Sequence, residues 1–453
     1  MSKPDISFIG LGAMGFGMAT NLVKRGYAVT GFDVWAPTLD KFAAAGGKTA
    51  TTPAAASVDK PVCVCMVATA QQAQAVLIDG PDAAAAALPQ GSAILLCSTV
   101  PCGYVQDLAR QIADPNGPVK RPDLLLVDCP VSGGAARAAD GTLSIMAGSP
   151  DAAFNAHAHA KSVLADLADP EKLYLIAGGI GAGSNTKMVH QVLAANQILS
   201  GCEGMGLAVR LGLEANETTL NTLLASPGHS WMFGHRGPRM INNFQPIASA
   251  VQIIVKDTAI ITSEARRMGF IVPMTSAVEN VMYDAMARGY ALDDDSSILR
   301  VYTNGRENVP PAPASLTADD KIKLVIDLLK GIHLASAAEC LAFAHHVNLD
   351  LDMVLGLCIN AAGGSAMLEA HGPHIIAALR NGTAASGWAP AEGEETLESI
   401  YKGLEAAVVI AQQIKAPLYL GTQALTVLRM ALRSSGPKAS SIAAGSVVKV
   451  WLE

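Results

Sequence analysis

Near the start of the 453-residue chain, Ile6-Ser-Phe-Ile-Gly10-Leu-Gly12-Ala-Met-Gly15 sets a short apolar run against a GxGxxG loop and a following amphipathic segment. GxGxxG alone is a weak signal, but here it follows a strand-like run and opens an amphipathic helix, the context that points to a βαβ start. The first glycine permits the tight turn, the second lets a pyrophosphate approach the backbone, and the third lets the helix pack on the strand. Free amides at the helix start then receive phosphate oxygens. Gly10, Leu11, Gly12, Ala13, Met14 and Gly15 are therefore expected to hold a dinucleotide. Asp33 closes the next apolar run, where a carboxylate accepts hydrogen bonds from ribose hydroxyls and repels a 2′-phosphate. Val34 and Trp35 follow, with no arginine to hold that phosphate, so NAD is expected rather than NADP. A glycine-rich structural turn followed by an ordinary surface aspartate is the plain alternative.

The first 180 or so residues continue this alternation. Ile6–Ile9, Ala28–Phe32, Val62–Val67, Ala93–Cys97, Leu124–Asp128, Thr142–Ala147 and Leu173–Ile176 read as strands, with helical stretches between them. That order predicts a parallel sheet covered on both faces. After Gly183 the texture becomes helical, and one long helix is expected from Thr186 to about Leu211. A Pro-rich stretch, Thr303–Ser315, reads as a linker. The expected organisation is a Rossmann domain over 1–182, a helical domain over 183–306 and a second helical domain over 316–453.

The two helical stretches resemble each other. Lys187-Met-Val matches Lys323-Leu-Val, Glu203 matches Glu339, and Leu213 matches Leu349. Ser230-Trp-Met matches Ser365-Ala-Met, each followed by Gly-Pro, and Val255-Lys256 matches Tyr401-Lys402. Ile298–Tyr302 matches Val447–Trp451. Matches kept in one order point to a duplicated domain.

The composition excludes several classes. A formal net charge of -7 gives no basic face for nucleic acid or for an anionic membrane surface. No apolar run reaches the roughly 18 residues of a membrane span, and the N-terminus lacks the pattern of a secretion signal, so a cytoplasmic location is expected. Eight cysteines occur without a CxxC pair or a zinc-like spacing, which predicts reduced buried thiols and no metal site.

Two further segments carry chemistry. Asp128-Cys-Pro-Val-Ser132-Gly133-Gly134 places a hydroxyl beside two glycine amides, a loop that can hold a carboxylate; it also fits a plain turn. Gly178-Gly-Ile-Gly181-Ala-Gly183-Ser-Asn-Thr-Lys187 is a glycine-rich joint leading into the long helix. A lysine in the first turn of an apolar helix is oddly placed, because the helix N-terminus disfavours cations. Desolvation and that field would both favour the neutral amine that proton transfer needs. Gln191 lies four residues on, on the same face, with His190 beside it. His190 fits either an extra substrate partner or a structural helix residue.

Together Gly10–Gly15, Asp128–Leu143, Gly181–Lys187 and Val255-Lys256-Asp257 resemble the β-hydroxyacid dehydrogenase family over about residues 4–302. The resemblance implies that Lys187 is the catalytic acid/base and that Ser132, Gly133 and Gly134 bind the substrate carboxylate. It implies cofactor contacts from Val67, Ala68, Thr99 and Lys256, with a surface ion pair to Asp257 as the alternative for Lys256. The family's usual Leu-Pro is Val67-Ala68 here, and its Asn-Asn after the lysine is His190-Gln191. These changes, with Ser230-Trp231-Met232-Phe233 and Asp294-Asp295-Ser296, resemble the L-threonate dehydrogenase subgroup, which acts on four-carbon sugar acids. Ser230, His190 and Gln191 are then expected beside the substrate. A semialdehyde or imine reductase using NADPH is the alternative on the same fold. The duplicated helical domain resembles the plan of 6-phosphogluconate dehydrogenase. It is expected to stand in for a partner subunit's domain, in a monomer or a homodimer.

Overall fold

The computed structural model describes residues 3–149, 151–305, 309–382, 389–390, 392–436 and 441–452. The chain divides into two compact units, Met1–Lys187 and Met188–Glu453.

In the first unit the apolar runs become β1 (Ile6–Ile9), β2 (Val29–Phe32), β3 (Lys48–Thr49), β4 (Val62–Cys65), β5 (Ala93–Leu96), β6 (Leu125–Asp128), β7 (Val131–Ser132), β8 (Leu143–Gly148) and β9 (Ala168–Ile176). They form one sheet in the order β3-β2-β1-β4-β5-β6-β8-β7, with β9 paired to β8. The 3-2-1-4-5-6 portion is parallel throughout, the order of a doubly wound dinucleotide fold. Alternate residues explain its double cover. Phe8, Val64 and Leu95 enter one apolar cluster, while Ile9, Cys65 and Leu96 enter another on the opposite face.

Beyond β6 the sheet departs from the expected all-parallel form. β7 runs antiparallel to β8, and β6 meets β8 antiparallel at Asp128 and Gly148. The chain returns from β7 to β8 through only the short helix Gly134–Asp140, too little for a parallel crossover. β3 and β7 are two residues each and carry no readable period. All eight cysteines are buried thiols.

A 29-residue helix, Ala182–Arg210, leaves the first unit and enters the second. It begins four residues before the expected Thr186. It is long and apolar enough to cross a membrane, but 94% of its most apolar window is buried in the protein, as in a core helix. A second 29-residue helix, Ala318–His346, opens on a capping box between Thr317 and Asp320. Residues 306–308 of the Pro-rich stretch, which include the expected domain end at 306, lie outside the described residues.

Within the second unit the matched residues of the two repeats do matched jobs. Glu203, on the first long helix, accepts from the backbone N–H groups of Leu420 (3.0 Å) and Gly421 (2.6 Å), which open the helix Tyr419–Ser434. Glu339, on the second long helix, accepts from Met274 (2.7 Å) and Thr275 (2.9 Å), which open the helix Pro273–Ala287. Each glutamate thus satisfies orphan amides at a helix start of the other repeat. Ser230 and its counterpart Ser365 pair directly with each other across an antiparallel bridge. The contacts between the two repeats are therefore reciprocal. Gly421 shows how close the exchange is: a Cβ there would lie 2.5 Å from Leu328 and 3.1 Å from the Glu203 carboxylate.

Candidate active site

The glycine-rich loop has the steric signature of a dinucleotide cradle. Gly10 has φ +94°, and a Cβ on it would lie 2.3 Å from the Met66 carbonyl. A Cβ on Gly15 would lie 1.9 Å from the Gly10 carbonyl. At Gly12, by contrast, a Cβ would meet nothing within 4 Å. The protein itself does not need a glycine there, so the space fits a ligand that approaches the backbone. Asp33 is half-buried and already tied to this loop: its carboxylate accepts from Leu11 N–H (2.7 Å) and Trp35 N–H (2.8 Å). Its remaining lone pairs can take ribose hydroxyls. The residues present fit a nicotinamide dinucleotide.

The other expected cofactor contacts are placed less simply. Val67 N–H donates to Ser98 Oγ (2.9 Å) and Ala68 N–H to Gln72 Oε1 (2.9 Å), so both amides have partners within the protein. Thr99 is half-buried after β5. Ser132 ends β7 half-buried, and Gly133 and Gly134 follow exposed, both at positive φ (+143° and +74°). Lys256 forms an ion pair at 3.2 Å with Asp257, which is buried rather than on the surface.

Lys187 is 5% exposed. Because its helix starts at Ala182, Lys187 lies beyond the first turn, where the field of the helix N-terminus has largely fallen off, contrary to the expected first-turn position. Burial remains. The helix start itself is held by a residue to which sequence reasoning assigned no role. Asp128, fully buried at the end of β6, accepts from Ser184 N–H and Ser184 Oγ, both at 2.7 Å. Burial pushes its carboxyl up to about 6, against the lowering effect of those bonds. Gly183 makes the close seat possible: a Cβ there would lie 2.3 Å from the Asp128 carbonyl and 2.4 Å from that of Met146. The only sequence signal was an acid closing an otherwise apolar strand.

On the same helix, Gln191 is 9% exposed and His190 is fully buried. Gln191 Nε2 donates to Asp257 Oδ2 at 2.5 Å, and His190 Nδ1 lies 3.2 Å from Gln191 Oε1. Ser230 is also fully buried, and its hydroxyl caps the helix Trp231–Met240 by accepting from Phe233 N–H. That gives Ser230 a structural job.

Residues 5–178 match the model for the NAD binding domain of 6-phosphogluconate dehydrogenase. Residues 181–302 and again 318–448 match the model for the NAD-binding region of NADP-dependent 3-hydroxyisobutyrate dehydrogenase. L-threonate dehydrogenase from Cupriavidus necator is 36% identical over 298 residues, 66% of this chain and 96% of that protein. The chain belongs to the β-hydroxyacid dehydrogenase family. L-threonate dehydrogenase from Escherichia coli K12 is 31% identical, over 67% of this chain and 96% of that protein. A 3-hydroxyisobutyrate dehydrogenase structure from Salmonella typhimurium superposes with a TM-score of 0.58 at 30% identity, covering 66% of this chain and all of that one. As a member of this family the protein is a dehydrogenase acting on a CH–OH group, with a nicotinamide dinucleotide as cofactor. These relatives account for about two thirds of the chain, whereas the helical-region model matches it twice.

Proposed function

We propose that this dehydrogenase oxidises a four-carbon sugar acid such as L-threonate to the keto acid, with NAD as the cofactor and Lys187 as the general acid/base. The observation that carries this reading is Lys187 itself, an amine 5% exposed, one helical turn before the buried His190-Gln191 pair. Gly10–Gly15 and Asp33 would hold NAD, which would supply the hydride acceptor. The neutral amine of Lys187 accepts the proton of the substrate hydroxyl as hydride leaves the same carbon, and its ammonium returns that proton in the reverse direction. Ser132 Oγ and the amides of Gly133 and Gly134 hold the substrate carboxylate, which fixes the reacting carbon. Gln191 takes a further substrate hydroxyl, and Lys256 offsets negative charge nearby. The likeness to L-threonate dehydrogenases supports the substrate class.

The second helical repeat, we infer, takes the place of a partner subunit's repeat. The reciprocal caps made by Glu203 and Glu339 support this, because one chain then carries both halves of the helical pair. Lys323 matches Lys187 in sequence, but it is ion-paired with Asp327 and 72% exposed, so only Lys187 works as the acid/base.

The test is the rise in absorbance at 340 nm with NAD, and in parallel with NADP, across a panel of hydroxy acids. The panel holds L-threonate, D-threonate, glycerate, 3-hydroxyisobutyrate and L-serine. Preference for NAD and a four-carbon sugar acid is expected. A preference for 3-hydroxyisobutyrate or L-serine would overturn the substrate assignment, and a preference for NADP would overturn the cofactor assignment.

A further inference from the structure

Four polar side chains of the second unit form a chain of contacts. Lys256 Nζ lies 3.2 Å from Asp257 Oδ1, Asp257 Oδ2 accepts from Gln191 Nε2, and Gln191 Oε1 lies 3.2 Å from His190 Nδ1. Hydrogen-bond chemistry leaves this arrangement only one polarity. An ionised carboxylate only accepts, so the Gln191 atom facing Asp257 must be the amide nitrogen. The amide oxygen then faces His190, and because that oxygen only accepts, His190 must carry its proton on Nδ1. Asp257 therefore sets the tautomer of a histidine it does not touch, with one amide as the relay.

Asp257 is 6% exposed and His190 not at all, while Gln191, four residues after Lys187 on the same helix, is 9% exposed. Gripped at both ends, Gln191 still has a second N–H and a second lone pair. Neither can rotate away, and the amide cannot exchange its two ends.

The second repeat serves as a control. Its residues matching His190, Gln191, Lys256 and Asp257 are Ile326, Asp327, Lys402 and Gly403. There the carboxylate has moved to the long helix, and a Cβ on Gly403 would lie 2.8 Å from Asp327 Cγ. Asp327 takes the ammonium of Lys323 instead. The long helix and the helix Leu397–Gln413 still pack closely in that repeat, so this packing does not require a His-Gln-Asp relay. The relay occurs only in the repeat that carries Lys187.

We propose that Asp257 and His190 are positioning residues that clamp the Gln191 amide in one orientation, so that Gln191 presents a fixed donor and acceptor to a hydroxyl of a polyhydroxylated acid. The substrate part of this rests on the function proposed above; the clamp does not. It also recasts His190, expected beside the substrate, as a residue acting through Gln191.

Two measurements on the full chain test the proposal. The first is ¹⁵N NMR of histidine-labelled protein without substrate, with the His190 signals assigned from their loss in His190→Asn. The wild type should show Nδ1 protonated and Nε2 unprotonated. In Asp257→Asn the new amide can donate to Gln191, the glutamine can flip, and the His190 signature should move toward the Nε2–H form. If Asp257→Asn does not fold, Gln191→Met removes the relay and should release His190 in the same way. The second measurement is steady-state kinetics of Asp257→Asn on whichever panel acid the wild type uses best. KM should rise about tenfold, the loss of roughly one well-placed hydrogen bond, with kcat changed less than about threefold. An Nε2–H tautomer in the wild type, or an unchanged His190 signature in the variants, would overturn the clamp. Unchanged KM in Asp257→Asn would overturn its role in recognition. Failure of every panel acid would remove the substrate reading while the NMR result still decided the clamp.

Discussion

Replacing Glu203 with alanine should destabilise the second unit by about 3 kcal/mol. The side chain satisfies three buried donors: Leu420 N–H, Gly421 N–H and, at 2.9 Å, the Tyr302 hydroxyl. Orphaning buried donors costs about 1–3 kcal/mol each, or roughly 3–9 in all. Part of that is recovered, because the carboxylate is itself costly to bury. Burial pushes Glu203 up from 4.5 to about 7, against the hydrogen bonds that lower it. At about 1.4 kcal/mol per pKa unit, relieving this returns roughly 3 kcal/mol at neutral pH. Glu339→Ala should cost about the same. Glu339 also serves three donors, including Thr275 Oγ1 at 2.7 Å, and burial likewise raises it to about 7. The assay is urea unfolding followed by tryptophan fluorescence, at several pH values. A carboxyl raised on folding makes the native state bind protons more tightly. The stability linked to protonation is full below about 4.5 and is lost as pH rises through about 7. Wild-type stability should therefore fall between pH 5 and 7.5, and each alanine variant should flatten that slope. Losses below about 0.5 kcal/mol in both variants, with an unchanged pH slope, would refute the reciprocal-cap account.

Two other predictions concern the first unit. Asp33→Ser should raise kcat/KM for NADP at least about tenfold and lower it for NAD, since a carboxylate a few ångströms from a 2′-phosphate costs over 1 kcal/mol; initial rates with both cofactors check this. Gly183→Ala would press a Cβ against the carbonyls of Asp128 and Met146, so the helix start carrying Lys187 must move. A loss of about 1–3 kcal/mol in thermal unfolding and a lower kcat are expected.

Local signals in the sequence reached far into this structure. The strand, the GxGxxG turn and the acid at Asp33 are consecutive-residue features, and each appears where periodicity and turn chemistry put it. The repeat was legible because both copies keep matching residues, down to Glu203 and Glu339. What was hidden is non-local. The amides that Glu203 caps lie more than 200 residues away, and nothing local announces them. The Asp128 clamp on Ser184 and the Asp257 grip on Gln191 join segments far apart in sequence. The start of the long helix was misjudged for a related reason. Gly183 is a poor helix former, yet it sits in the helix where the backbone of β6 and β8 leaves no room for a side chain. Ser230 was expected beside the substrate from the likeness of Ser230-Trp231-Met232-Phe233 to the L-threonate dehydrogenase subgroup. Its bridge to Ser365, in the other repeat, joins segments far apart in sequence.

The proton-transfer role of Lys187 is tested most directly by Lys187→Met, which keeps the length of the side chain and removes the amine. NAD binding, followed by titration calorimetry, should stay within about threefold of the wild type. NADH formation with the best panel acid should fall by about 10²–10⁴-fold, the range associated with a positioned proton-transfer group. A variant that binds NAD and turns over within tenfold of the wild type would contradict the assignment.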